Sequence, residues 1–490
     1  MMVNKKPDYE QGPETETFNF QRRLPLLAAL IASTFLTAGC LSSGSSDDTI
    51  ADPVDDPVDD PVVESSFKVD FMAGAPTVTW GEVETITAFR PAQASYEYLA
   101  DSDTHTGAGA FAGFGSCGDC HDTNANNPSQ VGAERDEEEL TPSKETVPIT
   151  VQAAYDADNF YLKASWETER PGITHDIWRY DGAAWNKVSV YNEPGNEPDE
   201  AAGERFSAED RFAAMFMPAS QDVSVGASFH EAGCFATCHE DMDDMPEWPV
   251  DEPATAKYLL SGTSANGTYD TSSESNADVL AGTTASFPDM WHFRGARSAI
   301  INTVTDGYVM DSRANDDGSN FYATQDPDEV TGELEWMYDP AWMADFIAEH
   351  APDYEGETNV SAISDDLWEA LEQNAPTLVL EGPNANAVAF DAAEVNEGDI
   401  IPRRILTPQD NSRTDVNAYS AWEDGTWTVI FERARDTGNP DDHVLNPGAE
   451  SYSFAFAAHQ ENTVHRWHHV TFPVTLGMEG SGADIEAKLN

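Results

Sequence analysis

Val151-Gln152-Ala153-Ala154-Tyr155-Asp156-Ala157-Asp158-Asn159-Phe160-Tyr161-Leu162-Lys163 is the stretch whose reading decides the fold class. Two runs rich in Val, Tyr, Phe, Leu and Ala, residues 147–155 and 160–166, flank turn formers whose short polar side chains support a chain reversal. The pattern predicts a β-hairpin. Working outward, residues 205–217 and 399–406 read as further strands, and residues 422–433 form a second hairpin through Glu423-Asp424-Gly425. Residues 451–459 and 465–476 read as a last strand pair. Helical spacing of apolar residues is confined to 340–350 and 363–373. The fold class expected is therefore mainly β, an antiparallel β-sandwich with helical and loop insertions.

The chain of 490 residues is 40% hydrophobic, enough for one large core or two smaller ones. Its 89 Asp+Glu against 25 Lys+Arg give a formal net charge of −64. Such a charge repels polyanions and argues against nucleic acid as a partner. It describes a solvated acidic surface; a salt-adapted (halophilic) surface and an acidic face for a basic partner share that composition.

The N-terminal part carries Arg22-Arg23, an apolar run from 24 to 35 that is too short to span a bilayer, and Leu36-Thr37-Ala38-Gly39-Cys40. That pentapeptide resembles a bacterial lipobox, which implies a signal peptide over 1–39, diacylation of Cys40 and an extracytoplasmic protein held to the membrane by lipid, with the outer membrane as the expected site. Residues 40–66 follow as an acidic tether, with Asp-Pro-Val at 52–54, 56–58 and 60–62. In an extended form of ~3.1 Å per residue, 41–66 reach up to roughly 80 Å.

Beyond Cys40, four cysteines remain, in Cys117-Gly118-Asp119-Cys120-His121 and Cys234-Phe235-Ala236-Thr237-Cys238-His239. The first is the C-x-x-C-H signature of covalent c-type haem attachment, with His121 as an axial ligand to iron. The second has one more residue between the thiols and keeps the ending Cys-His, so His239 is its axial candidate. Disulfides within each pair would close small loops with little entropic gain and leave both His unexplained. Zinc would need two more ligands per site, and unmodified thiols would oxidise outside the cell. Two covalent haems c use every thiol and both imidazoles.

For the opposite axial position, His292 is the first candidate at the second haem: Asp289-Met290-Trp291-His292-Phe293 flanks it with aromatics, and Arg294 and Arg297 can pair with propionates. Met242 follows His239 closely and is a weaker candidate. His105, before the first motif, and His468, in His465-Arg466-Trp467-His468-His469, are further candidates. Met215 and Met217 share one face of a strand, where core packing competes with ligation.

Val151-Gln152-Ala153-Ala154-Tyr155-Asp156, Asn159-Phe160-Tyr161-Leu162-Lys163, Glu209-Asp210-Arg211-Phe212, Trp422-Glu423-Asp424-Gly425-Thr426-Trp427-Thr428-Val429 and Ser451-Tyr452-Ser453-Phe454-Ala455-Phe456-Ala457 resemble the haem-binding domain of ethylbenzene dehydrogenase-related proteins. The resemblance covers about 147–478. It implies a sandwich similar to a carbohydrate-binding module and a partner of the molybdenum reductase type. An insertion at about 219–375 holds the second motif, residues 67–146 form the first haem segment, and 479–490 form a tail. In that family the haem is b-type and held by Met and Lys. This chain has no Lys between Lys257 and Lys488, so the Lys has no counterpart, while the Met corresponds to Met215 or Met217.

With no triad, phosphate-binding loop or dinucleotide fingerprint, the sequence is read as an electron-transfer protein and not an enzyme. It is expected to exchange electrons with periplasmic or membrane respiratory carriers and a terminal redox enzyme. Two other functions compete: a haem enzyme with an open axial site that reduces peroxide or a nitrogen oxide, and a ligand- or carbohydrate-binding module.

Overall fold

The computed structural model describes residues 67–89, 146–168, 170–188, 209–221, 229–234, 287–309, 313–459 and 468–490. They are mainly β. The opening hairpin is Thr146–Tyr155 with Asn159–Glu167, paired from Ile149↔Trp166 to Tyr155↔Phe160. Asp156 builds its turn: Oδ1 accepts from the amides of Asp158 and Asn159, each at 2.8 Å, and the Tyr161 hydroxyl donates to Oδ2 at 2.8 Å. The second hairpin, Asn417–Glu423 with Thr426–Ala434, reverses at Asp424 (φ 50°) and Gly425 (φ 77°). Two successive positive φ values give the turn whose twist matches the strands it joins.

One sheet of fourteen strands dominates. Its path runs Val69–Phe71, Asn417–Glu423, Thr426–Ala434, Asn159–Glu167, Thr146–Tyr155, Glu84–Phe89, then His469–Val470, Tyr452–His459, Arg211–Pro218, Asp289–Arg294, Thr305–Val309 and Arg313–Asn315. The middle joint is narrow, a single pair Phe89↔Val470. The two halves pack face to face, which makes the sheet a sandwich. Trp166 stacks on Phe212 at 5.0 Å, Phe431 lies 5.9 Å from Trp291, and Phe293 meets Trp427 edge-on at 5.6 Å. These rings are buried and bring the apolar area that stabilises the layers. The segment before the hairpin and the C-terminal tail both contribute strands, Val69–Phe71, Glu84–Phe89 and Ile485–Leu489. So does the region 219–375, through Asp289–Arg294, Thr305–Val309 and Arg313–Asn315.

Residues 399–406, expected as one strand, are two. Ile400–Pro402 pairs with Ile177–Tyr180, whereas Arg404–Leu406 pairs with Tyr322–Thr324 and Leu378–Val379. Pro402 has no amide to continue a ladder, and Arg403 donates its amide to Asp176 O at 2.9 Å instead. Likewise the described part of 465–476, from His468 on, holds two strands, His469–Val470 and Val474–Met478, divided at Pro473. The helix Pro340–His350 spans the expected residues, capped by Asp339, which accepts from Ala341 N at 2.8 Å. The expected second helix is shorter, Asp365–Ala370, and starts at Ser364. Among the described residues no helix is long and apolar enough to cross a membrane.

Candidate functional site

Alternation along the strands sorts one half of the sandwich into two faces. Phe212, Ala214, Phe216, Trp291, Phe293, Phe454, Phe456 and Ala458 belong to the core between the layers. The opposite face of the same strands therefore carries Ala213, Met215 and Met217, then Met290, His292 and Arg294, and Ala455 and Ala457. Register aligns them in rows: Ala455, Met215, Met290 and Gly307 in one, Ala457, Ala213, His292 and Thr305 in the next. At ~4.8 Å per strand, His292 lies about 10 Å from Ala457. This outer face is shielded from water as well, Met215 being 7% and His292 5% exposed.

The second cysteine motif begins on this face. A short helix, Phe229–Ala232, leads into Gly233 and Cys234. The His230 ring is 2.8 Å from Ser453 Oγ and 2.5 Å from Gln221 O. Gly233 has φ +55°, and a Cβ there would meet Pro473 at 3.1 Å and Ala455 Cβ at 3.2 Å, so a side chain would strain the backbone and crowd both neighbours. Cys234 is buried with Sγ 3.8 Å from Phe456 O. A thiol, three thioethers and an imidazole thus share one dry face floored by alanines. Soft sulfur and imidazole donors on an apolar floor fit a haem.

His292 has a constraint of its own. Arg294 Nη2 lies 3.2 Å from His292 Nδ1. A guanidinium only donates, so Nδ1 accepts and a neutral ring carries its proton on Nε2. That is the tautomer opposite to the one in which metal-bound histidines usually donate from their other nitrogen. Ligation through Nε2 requires this contact to be released. Arg294 also donates to Thr305 Oγ1 at 2.8 Å, and Arg294 and Arg297 both lie over the Tyr322 ring.

Arg297 is engaged elsewhere. Its Nε donates to Glu209 Oε1 at 2.7 Å and its Nη2 also reaches that carboxylate, while Glu209 Oε2 accepts the amides of Ala296 and Arg297 at 3.2 and 3.1 Å. Arg211 Nε pairs with Glu209 at 3.2 Å. Burial pushes the Glu209 carboxyl up, and the Arg297 and Arg211 guanidiniums outweigh it, leaving it well below the ordinary range. His175, buried nearby, is pushed down by burial and by Arg297. Next in sequence, Asp210 Oδ2 accepts from Trp427 Nε1 at 2.7 Å and Gly172 N at 2.9 Å, tying the two layers together.

Of the other candidates, His468 is half-buried and stacks on His459 with ring centroids 4.5 Å apart, while His469 is wholly buried. Cys40, His105, Cys117, Cys120, His121, Cys238, His239 and Met242 lie outside the described residues. The Glu209 network and an aspartate cluster around Arg433 had no motif to announce them. Their members come from distant segments, and only Glu209-Asp210-Arg211 drew attention as a unit.

Two comparisons bear on this arrangement. The family described as ethylbenzene dehydrogenase matches residues 123–471. A relative, cytochrome c-552 of Stutzerimonas stutzeri, is 30% identical over 117 residues, which is 22% of this chain and 38% of that protein. The chain thus spans well under half the length of that relative.

Proposed function

Because this chain belongs to the ethylbenzene dehydrogenase family, we propose that it is an exported c-type cytochrome with two covalent haems that passes electrons between respiratory carriers and a terminal redox enzyme. Family membership and the cytochrome c relative support haem-related redox function as its general field. The observation that carries the finer reading is Cys234, held against the sheet face that also presents Met215, Met290 and His292. One haem is bound through Cys117 and Cys120 with His121 as ligand, the other through Cys234 and Cys238 with His239. A haem held at Cys234 would be shielded from water by the face that carries Met215, Met290 and His292, and it would supply one-electron redox chemistry there. The partners are electron donors and acceptors of the periplasm, with a molybdenum reductase-type enzyme as the acceptor or donor that the family suggests, and the lipid on Cys40 holds the protein at the membrane.

Redox titration of protein made in a strain competent for cytochrome c maturation tests this. Two one-electron couples are expected; a chain that emerges without haem overturns the reading. The Arg294 contact to His292 Nδ1 favours a second reading, in which the sixth position at the second haem is open and the protein reduces peroxide or a nitrogen oxide. A high-spin ferric signal with turnover of such a substrate supports that reading, and two fully low-spin haems remove it.

A further inference from the structure

Away from the cysteine motif, one end of the sandwich collects buried carboxyls from separate parts of the chain. Asp289 and Asp306 stand on neighbouring strands, Asp316 follows the strand Arg313–Asn315, Asp415 precedes Asn417–Glu423, and Asp441 and Asp442 lie in the loop after Thr426–Ala434. Arg433 faces them, wholly buried. Its Nη1 donates to Asp289 Oδ2 at 2.8 Å and Asp442 Oδ1 at 2.9 Å and is 3.8 Å from Asp306. Arg413 spends its Nε on the Asp316 carbonyl, at 3.2 Å. The carboxyls outnumber the guanidinium that faces them, and a buried carboxylate without a compensating charge or donor costs several kcal/mol.

Asp316 is the extreme case. It is 1% exposed, and no donor reaches either of its carboxyl oxygens. One oxygen from each of Asp316, Asp441 and Asp442 lies within 4.8 Å of the others. That is the spread of ligands placed ~2.4 Å from one ion. The partners of the triad are fixed from behind: Asp441 accepts Asp317 N at 2.9 Å and Ser412 Oγ at 3.3 Å, and Asp442 Oδ2 accepts Thr437 Oγ1 at 2.6 Å and Asn439 Nδ2 at 3.3 Å. Outer donors of this kind orient carboxylates in metal sites.

We propose that Asp316, Asp441 and Asp442 bind a calcium ion, with Asp306 and Asp415 lining the same pocket. A proton bridges two oxygens, whereas a cation gathers three or more and neutralises two charges at once. The donors are all hard oxygen, which selects calcium or magnesium over zinc, copper or iron. Magnesium holds its waters, and a buried pocket of carboxylates favours the ion that gives them up more readily. The ion ties the loops at 316, 415 and 441–442 to the strand bearing Asp306, and so clasps this end of the sandwich.

Elemental analysis of the full haem-loaded chain after gel filtration is expected to find one calcium per chain. Thermal melting after dialysis against EGTA, then with CaCl2 at about 100 times Kd, is expected to show a rise in Tm of roughly 3 °C. In Asp316→Asn that rise disappears, while its melting in EGTA equals or exceeds wild type, since a neutral amide replaces the uncompensated carboxyl. If Asp316→Asn does not fold, the wild-type measurements decide alone. No bound metal together with equal Tm in EGTA and CaCl2 overturns the proposal, and so does an equal rise from MgCl2 or from NaCl of matched ionic strength.

Discussion

Glu209 and Asp316 are both carboxyls shut away from solvent in one sandwich, and their surroundings are opposite. Glu209 faces the Arg297 and Arg211 guanidiniums and two backbone amides, and it is held ionised. Asp316 faces other carboxyls, lacks any donor and is pushed up to about 10. Depth of burial is the same in the two pockets; the balance of charge differs. A pocket with excess cationic side chains stores a carboxylate, whereas one with excess carboxyls calls for a proton or a metal ion.

Breaking the Glu209 side has the largest expected effect. Glu209→Ala removes the buried carboxylate that Arg297 and Arg211 share, and neither guanidinium can lose its proton in response. Urea unfolding is expected to show a loss of about 3–5 kcal/mol. Arg433→Met makes the reciprocal break, and the carboxyls there can take up protons instead. Its expected cost is therefore smaller, about 2–3 kcal/mol, and larger in EGTA than in CaCl2; equal costs in the two buffers would remove the distinction.

The pH dependence sharpens the same contrast. The groups facing Glu209 are Arg297, Arg211 and His175. Its folded carboxyl is depressed, so its stabilisation is complete above the ordinary value near 4.5 and is lost as pH falls below it. Relative to Glu209→Gln, wild type is expected to lose up to about 1.4 kcal/mol per pH unit below that point. A gap that stays constant down to pH 3 contradicts the pairing. The smallest effect concerns Asp156, a third carboxyl, whose oxygens are satisfied by two amides and the Tyr161 hydroxyl at the hairpin turn. Asp156→Ala is expected to lower stability by about 1 kcal/mol, read in the same urea series.

Much of this fold was legible because strands announce themselves locally. The hairpin at 151–163 needs only period-two alternation and an Asp that can cap its own turn, and Asp424-Gly425 supplies two residues that tolerate positive φ. The break at Pro402 was legible in principle, since proline cannot donate, yet Arg403 diverts to Asp176, 227 positions away in the chain, which no local pattern announces. Cysteine and histidine spacing is what the proposed haem attachment rests on, and His292 and Met215 share a sheet face. The Arg294 contact that sets the His292 tautomer depends on a strand face and was not legible as an obstacle to ligation. The aspartates at 289, 306, 316, 415 and 441–442 look like ordinary members of an acidic surface until the sandwich closes around them.

The most direct test of the account is the covalent haem count by intact mass of denatured protein. The account predicts two haems on wild type, one on a chain carrying Cys234→Ala with Cys238→Ala, and one on a chain carrying Cys117→Ala with Cys120→Ala. A wild-type chain with no covalent haem, or a Cys234→Ala, Cys238→Ala chain that still holds two, would contradict it.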